Sequence, residues 1–539
     1  MTQAPPAATA ADTKRVKAMI RDAAKTSGRG VPDLGPDDHA WLETRPQSLW
    51  PLLAEALRLF RAENRNDALL AACLGLLASQ LELIRYRLDR GYDWASEMLE
   101  AYQHKLIELA RDDILDGQDW LSLVNLLREA KVPVRQEMAA AMAQAVADGA
   151  REEMPFGEDE GPAQMRALVD ELGRLSDNPF VVVEALYETG SILPTEIRAF
   201  MAHELGLSPH AVLREAVPLM LLDAEPGIRQ AAAAVLEQIA APETFSPVMM
   251  RRCLLVRNWV PDAERAAIDR AVRKARLKGV ACAQWAPAPA LAIQCSMLDG
   301  SGAQGVVFST PKGRKGLLAG LLLKQHMGVT DAWCHRDVPR REITRSVEAT
   351  RREAAWLPVS RDFLDLVVQH HLHKGAQLGL PPGPLLIEIA EETGAADWKD
   401  RALDVEGEIA RLYGEIGPTP ESPGQDIWMI DSPIVQSWFE DDPATRALAA
   451  GKPRPKQTAV AKRVLSEILP GRRAVWAERM LLLALWLRAG PDSFMPEGAP
   501  WHDCLRLAHD LLAGRDLAEL PPMLAIAKRS AFAARAGGH

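Results

Sequence analysis

Two stretches, SPHAVLREAVPLMLLDAEPGIRQAAAAVLEQ at residues 208–238 and SPVMMRRCLLVRNWVPDAERAAIDRAVRKARL at residues 246–277, carry the same order of signals. Ser208-Pro209 is followed by Asp223-Ala224-Glu225, and Ser246-Pro247 and Asp262-Ala263-Glu264 return 38 and 39 residues later. A serine before a proline starts a helix: its hydroxyl accepts from an orphan N–H of the first turn, and proline supplies the helical φ where its missing N–H does no harm. A period in the thirties, filled by two apolar helical stripes, marks units that bury their faces only by stacking on neighbours. The expected fold is mainly α, an α-solenoid of stacked helix pairs.

Within the first copy, Asp223, Ile228-Arg229 and the alanine-rich run Ala231 to Leu236 resemble the second helix of a HEAT repeat. That resemblance implies Asp and Arg ladders between stacked units and a surface for binding partners. In the second copy the places of Ile228 and Arg229 fall on Ala267 and Ile268, so the ladder is expected to be interrupted there.

Outward from this pair, residues 1–30 read as a disordered tail rich in Ala, Pro and Thr. Residues 31–150 read as helical hairpins, in which Leu70, Leu74, Leu77, Leu81, Ile84 and Leu88 recur three or four apart on one helical face. EEMPFGEDEG lies within 151–162, an acidic linker, and 163–279 holds the HEAT-like units. Between 280 and 335 the period changes. Ala290 to Leu298, a turn at Asp299 to Gln304, and Gly305 to Thr310 read as a β-hairpin, followed by a helical piece at Lys315 to Gln325, so a small α+β insert is expected. Residues 336–539 return to helix, with Trp476, Met480, Leu483 and Trp486 on one side of a core helix paired with Trp501 to Ala513.

Charge adds a second axis. The chain carries a net charge of −10, which argues against a protein that coats nucleic acid along its length. Residues 251–360 nevertheless hold 19 Lys and Arg against 9 Asp and Glu, a basic middle in an acidic molecule. The six cysteines form no CxxC pair, there is no secretory apolar core near the start, and the most apolar short run, Met480 to Leu487, is too short to span a bilayer. The expectation is a cytoplasmic protein without a membrane partner.

Motifs for catalysis fail on context. Gly300-Ser-Gly302-Ala-Gln-Gly305 spells GxGxxG, but Val306 to Thr310 are strand formers where a dinucleotide site needs a helix. A kinase glycine loop fits that setting better, and His335-Arg336-Asp337 spells HRD; yet only 29 residues separate Gly305 from His335, too few for the elements between them. The glycines read instead as a tight hairpin with a mobile tip. His370, His371 and His373 lack a third ligand type and read as the polar end of a helix. No cofactor, metal or catalytic residue is expected.

What remains is Arg273, Lys274, Arg276 and Lys278 at the end of the second copy, with Lys312, Arg314 and Lys315 beyond the hairpin. If the insert folds back, the two clusters form one anion-binding patch. The expected function is a non-enzymatic scaffold whose helical surface meets a macromolecular partner, a protein first; nucleic-acid binding through the basic region is the alternative. An enzyme with its site in a cleft at the insert is the third reading.

Overall fold

The computed structural model describes residues 7–26, 35–62, 64–111, 115, 117–132, 134–135, 137–138, 141, 169, 171–174, 176–190, 195–310, 313–353, 355–416, 427–432, 435–450, 453–490 and 500–536. The acidic linker expected at 151–162 lies outside them, as does Lys312. The protein is mainly helical, with one small antiparallel sheet.

The first block comprises α1 (Ala10–Thr26), α2 (Pro36–Thr44), α3 (Leu49–Phe60), α4 (Asp67–Asp89), α5 (Asp93–Arg111) and α6 (Gly117–Glu129) around a core of its own. Of the disordered tail expected at 1–30, the described part is corrected here: Ala10–Thr26 is helix, and its Val16, Met19 and Ile20, spaced i, i+3, i+4, are buried against α3 and α4. A Thr9–Asp12 capping box opens α1, and the N–H of Thr9 donating to its carboxylate holds Asp12 below the usual range. Among the described residues α4 alone is long and apolar enough to cross a membrane; here Cys73, Leu76, Leu77 and Leu81 are fully buried in the block.

The second block holds the paired copies: α7 (Pro179–Gly190), α8 (Thr195–Leu207), α9 (Ala211–Ala216), α10 (Pro226–Gln238), α11 (Pro247–Val256) and α12 (Asp262–Leu277). Ser246 caps α11 by accepting from the N–H of Met249. Helix α10 packs on α8 before it and α12 after it. Arg198 of α8 pairs with Asp223 at 2.6 Å, and Arg229 of α10 pairs with Glu264 of α12 at 2.6 Å while also donating to the carbonyls of Asp223 and Ala224. Arg229 of the first copy thus reaches across to Glu264 of the second, while Ile268, at the place of the second copy's arginine, has no charge with which to carry the ladder further.

The insert is a five-stranded antiparallel sheet in the order β4-β3-β2-β1-β5, from β1 (Ala292–Ser296), β2 (Ala303–Ser309), β3 (Lys315–Lys324), β4 (Gly328–Pro339) and β5 (Trp356–Pro358). Helix α13 (Arg340–Glu353) joins β4 to β5. The helix expected at Lys315 to Gln325 is β3. Its run KGLLAGLLLK is apolar without clear period because both faces are covered: Leu317, Ala319, Leu321 and Leu323 join the main core, while Leu318 packs under Ile343 of α13. A strand buried on both faces cannot be told from a short buried helix by periodicity.

The remaining helices are α14 (Arg361–Gln377), α15 (Leu385–Thr393), α16 (Val405–Ile416), α17 (Ile427–Asp431), α18 (Pro443–Ala449), α19 (Gln457–Arg463), α20 (Arg473–Ala489), α21 (Trp501–Leu512) and α22 (Pro521–Ala536). Trp476, Met480, Leu483 and Trp486 of α20 are buried, and α20 packs along α21. One continuous core links the second block, the inner sheet face and these helices. The first block meets them through Arg90 and Tyr92, both bonded to Asp441, and through Lys131 paired with Asp331 on β4.

Candidate functional site

The structure sorts the basic middle of the chain. Arg251 and Arg252 close on Glu391, Arg257 on Asp269, Arg265 on Asp400, Arg270 on Glu237, and Arg336 on Glu388 and Glu392. Among the described residues, two groups make no ion pair. Arg273, Lys274, Arg276 and Lys278 form the end of α12, all exposed except half-buried Lys274. Arg314 and Lys315 are exposed at the start of β3, beside Pro339 and Arg340. No hydrogen bond or ion pair links the two groups among the described residues; the contacts of α12 run to α10 and α11.

Two residues that the sequence did not single out extend the second group. Ile343 and Val347 turn the inner face of α13 onto the sheet, which leaves Arg341 and Arg345, i and i+4, exposed on the opposite face without an ion pair. Glu342 and Glu348 share this helix and Asp337 is exposed at the adjoining end of β4, so the edge is basic by Arg314, Lys315, Arg340, Arg341 and Arg345 against three carboxylates. The readable signal was the spacing of Arg341 and Arg345 once Ile343 is taken as inward.

The glycine loop does different work from a phosphate cradle. Asp299 Oδ1 accepts from the N–H groups of Ser301 and Ala303, at 2.8 Å each, and from the Ser301 hydroxyl. The chain's own carboxylate therefore fills the place an anion would take. The expected mobile tip is corrected: Gly300 lies against the backbone of Ser437, and Arg479 and Gln325 hold it from the other side. Gly302, at φ +78°, makes the turn.

The histidines are not a polar helix end. His370 and His371 are buried in α14, the first with Nε2 2.8 Å from Glu478 Oε1 and Nδ1 accepting from the N–H of Leu403. Burial opposes the charge on Glu478, yet hydrogen bonds from His370 and Lys374 hold it at about 2. His371 donates from Nδ1 to the Val367 carbonyl, and burial takes it down to about 4. His373 turns to Asp400. No group of three or more such side chains is placed to hold a metal ion among the described residues.

In the HRD stretch, Arg336 reaches α15, where burial lifts Glu388 to about 7 against the opposing pull of that arginine. His335 instead leans on Trp333. A groove of about 640 Å³ lies away from the insert, between α14 and the 401–411 segment; of its carboxylates, Asp365 is held by Arg361 and Trp398, and Glu408 by Arg411.

Fold and surface together define a mainly helical protein with an embedded antiparallel sheet and a basic edge. The comparisons with known proteins match two domain models, the Y4lR second domain at residues 194–279 and the Y4lR C-terminal helical domain at residues 425–535. The chain is 25% identical over 449 residues to uncharacterized protein y4lR of Sinorhizobium fredii (strain NBRC 101917 / NGR234), covering 80% of this chain and 83% of that one. Over the paired copies the family model that matches is that of the Y4lR second domain, and no HEAT repeat family is found there. No solved structure matches.

Proposed function

We propose that this protein is a non-enzymatic scaffold that offers the basic edge of its sheet insert to an anionic macromolecular partner. The observation that carries this reading is the sorting of charge: Arg251, Arg252, Arg257, Arg265, Arg270 and Arg336 of the basic middle close on carboxylates of the chain, whereas Arg314, Lys315, Arg341 and Arg345 make no ion pair among the described residues and project from one edge. Cations left unpaired and gathered raise the local concentration of an anionic partner and steer its approach. The end of α12, with Arg273, Lys274, Arg276 and Lys278, is a second contact of the same kind. Helices α8 to α12 are read as two stacked HEAT-like units of a solenoid that carries the insert, supported by the Arg198–Asp223 and Arg229–Glu264 rungs. A cytoplasmic location suits six cysteines that form no disulfide.

Heparin, a polyanion of known charge, tests the edge. The full chain should elute from a heparin column at higher salt than a variant with Arg314, Lys315, Arg341 and Arg345 changed to Glu, while both melt at nearly the same temperature, since exposed charges contribute little to stability. Coincident elution of the two would remove the edge as an anion-binding surface. Reversal of Arg273, Lys274, Arg276 and Lys278 measures the share of α12.

A further inference from the structure

We infer that the outer face of the last helix, α22, rests on a bilayer surface rich in anionic lipid, with the Phe532 ring inserted at the headgroups and the cations around it paired with those headgroups. This face belongs to the C-terminal helices and not to the insert, and it stands on observations of its own. Charge is the first. Residues 443–466 and 520–536 contain no Asp or Glu, and the fold brings the two stretches together by packing α22 on α18 and α19. Arg535 donates to the carbonyl of Pro455 and Arg454 to that of Arg535, so the entry to α19 lies beside the end of α22.

Helix α22 buries Met523, Ile526, Ala527, Ser530 and Ala534. Lys528, Phe532 and Arg535, spaced i, i+4 and i+7, form its other stripe, the first two exposed and Arg535 half-buried. At α19, Val460 and Val464 turn inward while Lys456 and Lys462 are exposed. Among the described residues Lys456, Lys462 and Lys528 make no ion pair, and Arg454 and Arg535 donate to backbone carbonyls alone. The carboxylates of adjoining elements are engaged elsewhere: Glu467 is held by Arg463, Asp442 caps α18, Glu519 meets Arg515, and Asp431 acts on Arg529.

Phe532 is the second observation. At 64% exposure it is the most open phenylalanine among the described residues. One exposed ring alone means little; this one stands between Lys528, one turn before it, and Arg535, one turn after, on a convex helical stripe. Such a stripe meets a flat surface, where an apolar ring enters the boundary between headgroups and acyl chains while lysine and arginine stems reach back to the anionic headgroups. A stacked nucleobase fits a ring laid flat on the protein, and an acidic peptide fits a groove. The inference departs from the expectation of a chain without a membrane partner: that expectation follows from the lack of a spanning run, and a surface contact needs none.

The test is sedimentation of the full chain with vesicles of phosphatidylcholine alone and of phosphatidylcholine mixed equally with phosphatidylserine. The chain should sediment with the anionic vesicles, come off as salt rises, and stay in solution with the neutral ones. Phe532→Ala should weaken partition on the order of ten-fold through the lost burial of the ring, and Phe532→Leu should keep most of it. Changing Lys456, Lys462 and Lys528 together to Glu should abolish sedimentation. All these positions are exposed, so the variants should melt near the wild-type temperature. Charge reversal of Arg314, Lys315, Arg341 and Arg345 should leave sedimentation unchanged; a loss in that variant alone would overturn the assignment to α22 and move the contact to the insert edge. Absence of sedimentation with anionic vesicles, or wild-type partition in Phe532→Ala, would overturn the inference and leave the insert edge untouched. Phe532-dependent binding of fluorescein-labelled oligo-dT without sedimentation would overturn it in favour of nucleic acid.

Discussion

Arg479 of α20 donates from Nη1 to the carbonyl oxygen of Gly300 at 2.8 Å, joining the hairpin tip of the insert to the C-terminal helices. The same guanidinium donates from Nε to Gln325 Oε1 and lies over the ring of Trp476. Two strand turns distant in sequence are thereby held by one side chain, and the glycines of GxGxxG serve close packing.

Gly300→Ala tests that packing. A Cβ there would lie 1.7 Å from the carbonyl oxygen of Ser437, a backbone atom that cannot swing aside. The expected cost is roughly 1–3 kcal/mol or more, as for other insertions into a filled site, read as a lower midpoint in urea denaturation. An unchanged midpoint would show that the tip is not seated under Ser437. Calorimetry with ATP or NAD should meanwhile show no saturable heat, since Asp299 occupies the donors of the loop.

The paired copies predict two different losses. Leu236 is fully buried and Leu255 nearly so, and Leu236→Ala should cost roughly 2–5 kcal/mol through lost transfer energy and the cavity left behind. Glu264→Ala strands a buried Arg229 that still keeps two carbonyl acceptors, so the expected loss is smaller, about 1.5–3 kcal/mol for a hydrogen bond to a charged group. Thermal melting ranks them. A Glu264→Ala midpoint equal to wild type would show that the rung contributes nothing to stacking.

Acid stability should depend on His371. Its folded pKa of about 4 lies below the unfolded value of about 6.5, so between these limits the unfolded chain binds the extra proton. The contribution is complete above pH 6.5 and is lost as pH falls toward 4, up to roughly 3 kcal/mol for a shift of this size. Glu478, held at about 2, adds its own loss only below the unfolded glutamate range, from about pH 4.3 downward. Urea denaturation of His371→Leu at a series of pH values should therefore show a flatter profile from pH 6.5 to 4.5 than wild type. Parallel profiles would mean that His371 does not titrate on unfolding.

The sequence alone determined the helical character, the start of α11 at Ser246-Pro247, the stripe of α20 and the break of period near 280, because caps and apolar spacing act over a few residues. It also located the basic middle, since charge is additive along a chain. Tertiary structure decided what those charges do: whether Arg252 meets Glu391 or Arg341 meets solvent depends on partners far away in sequence, which no local pattern carries. The same distance hid β3, whose two covered faces erase the alternation of a strand, and the role of Gly300, whose need for a bare α-carbon comes from Ser437. Burial of His370 was unreadable for that reason too, since Glu478, its partner, lies on α20 more than a hundred residues away.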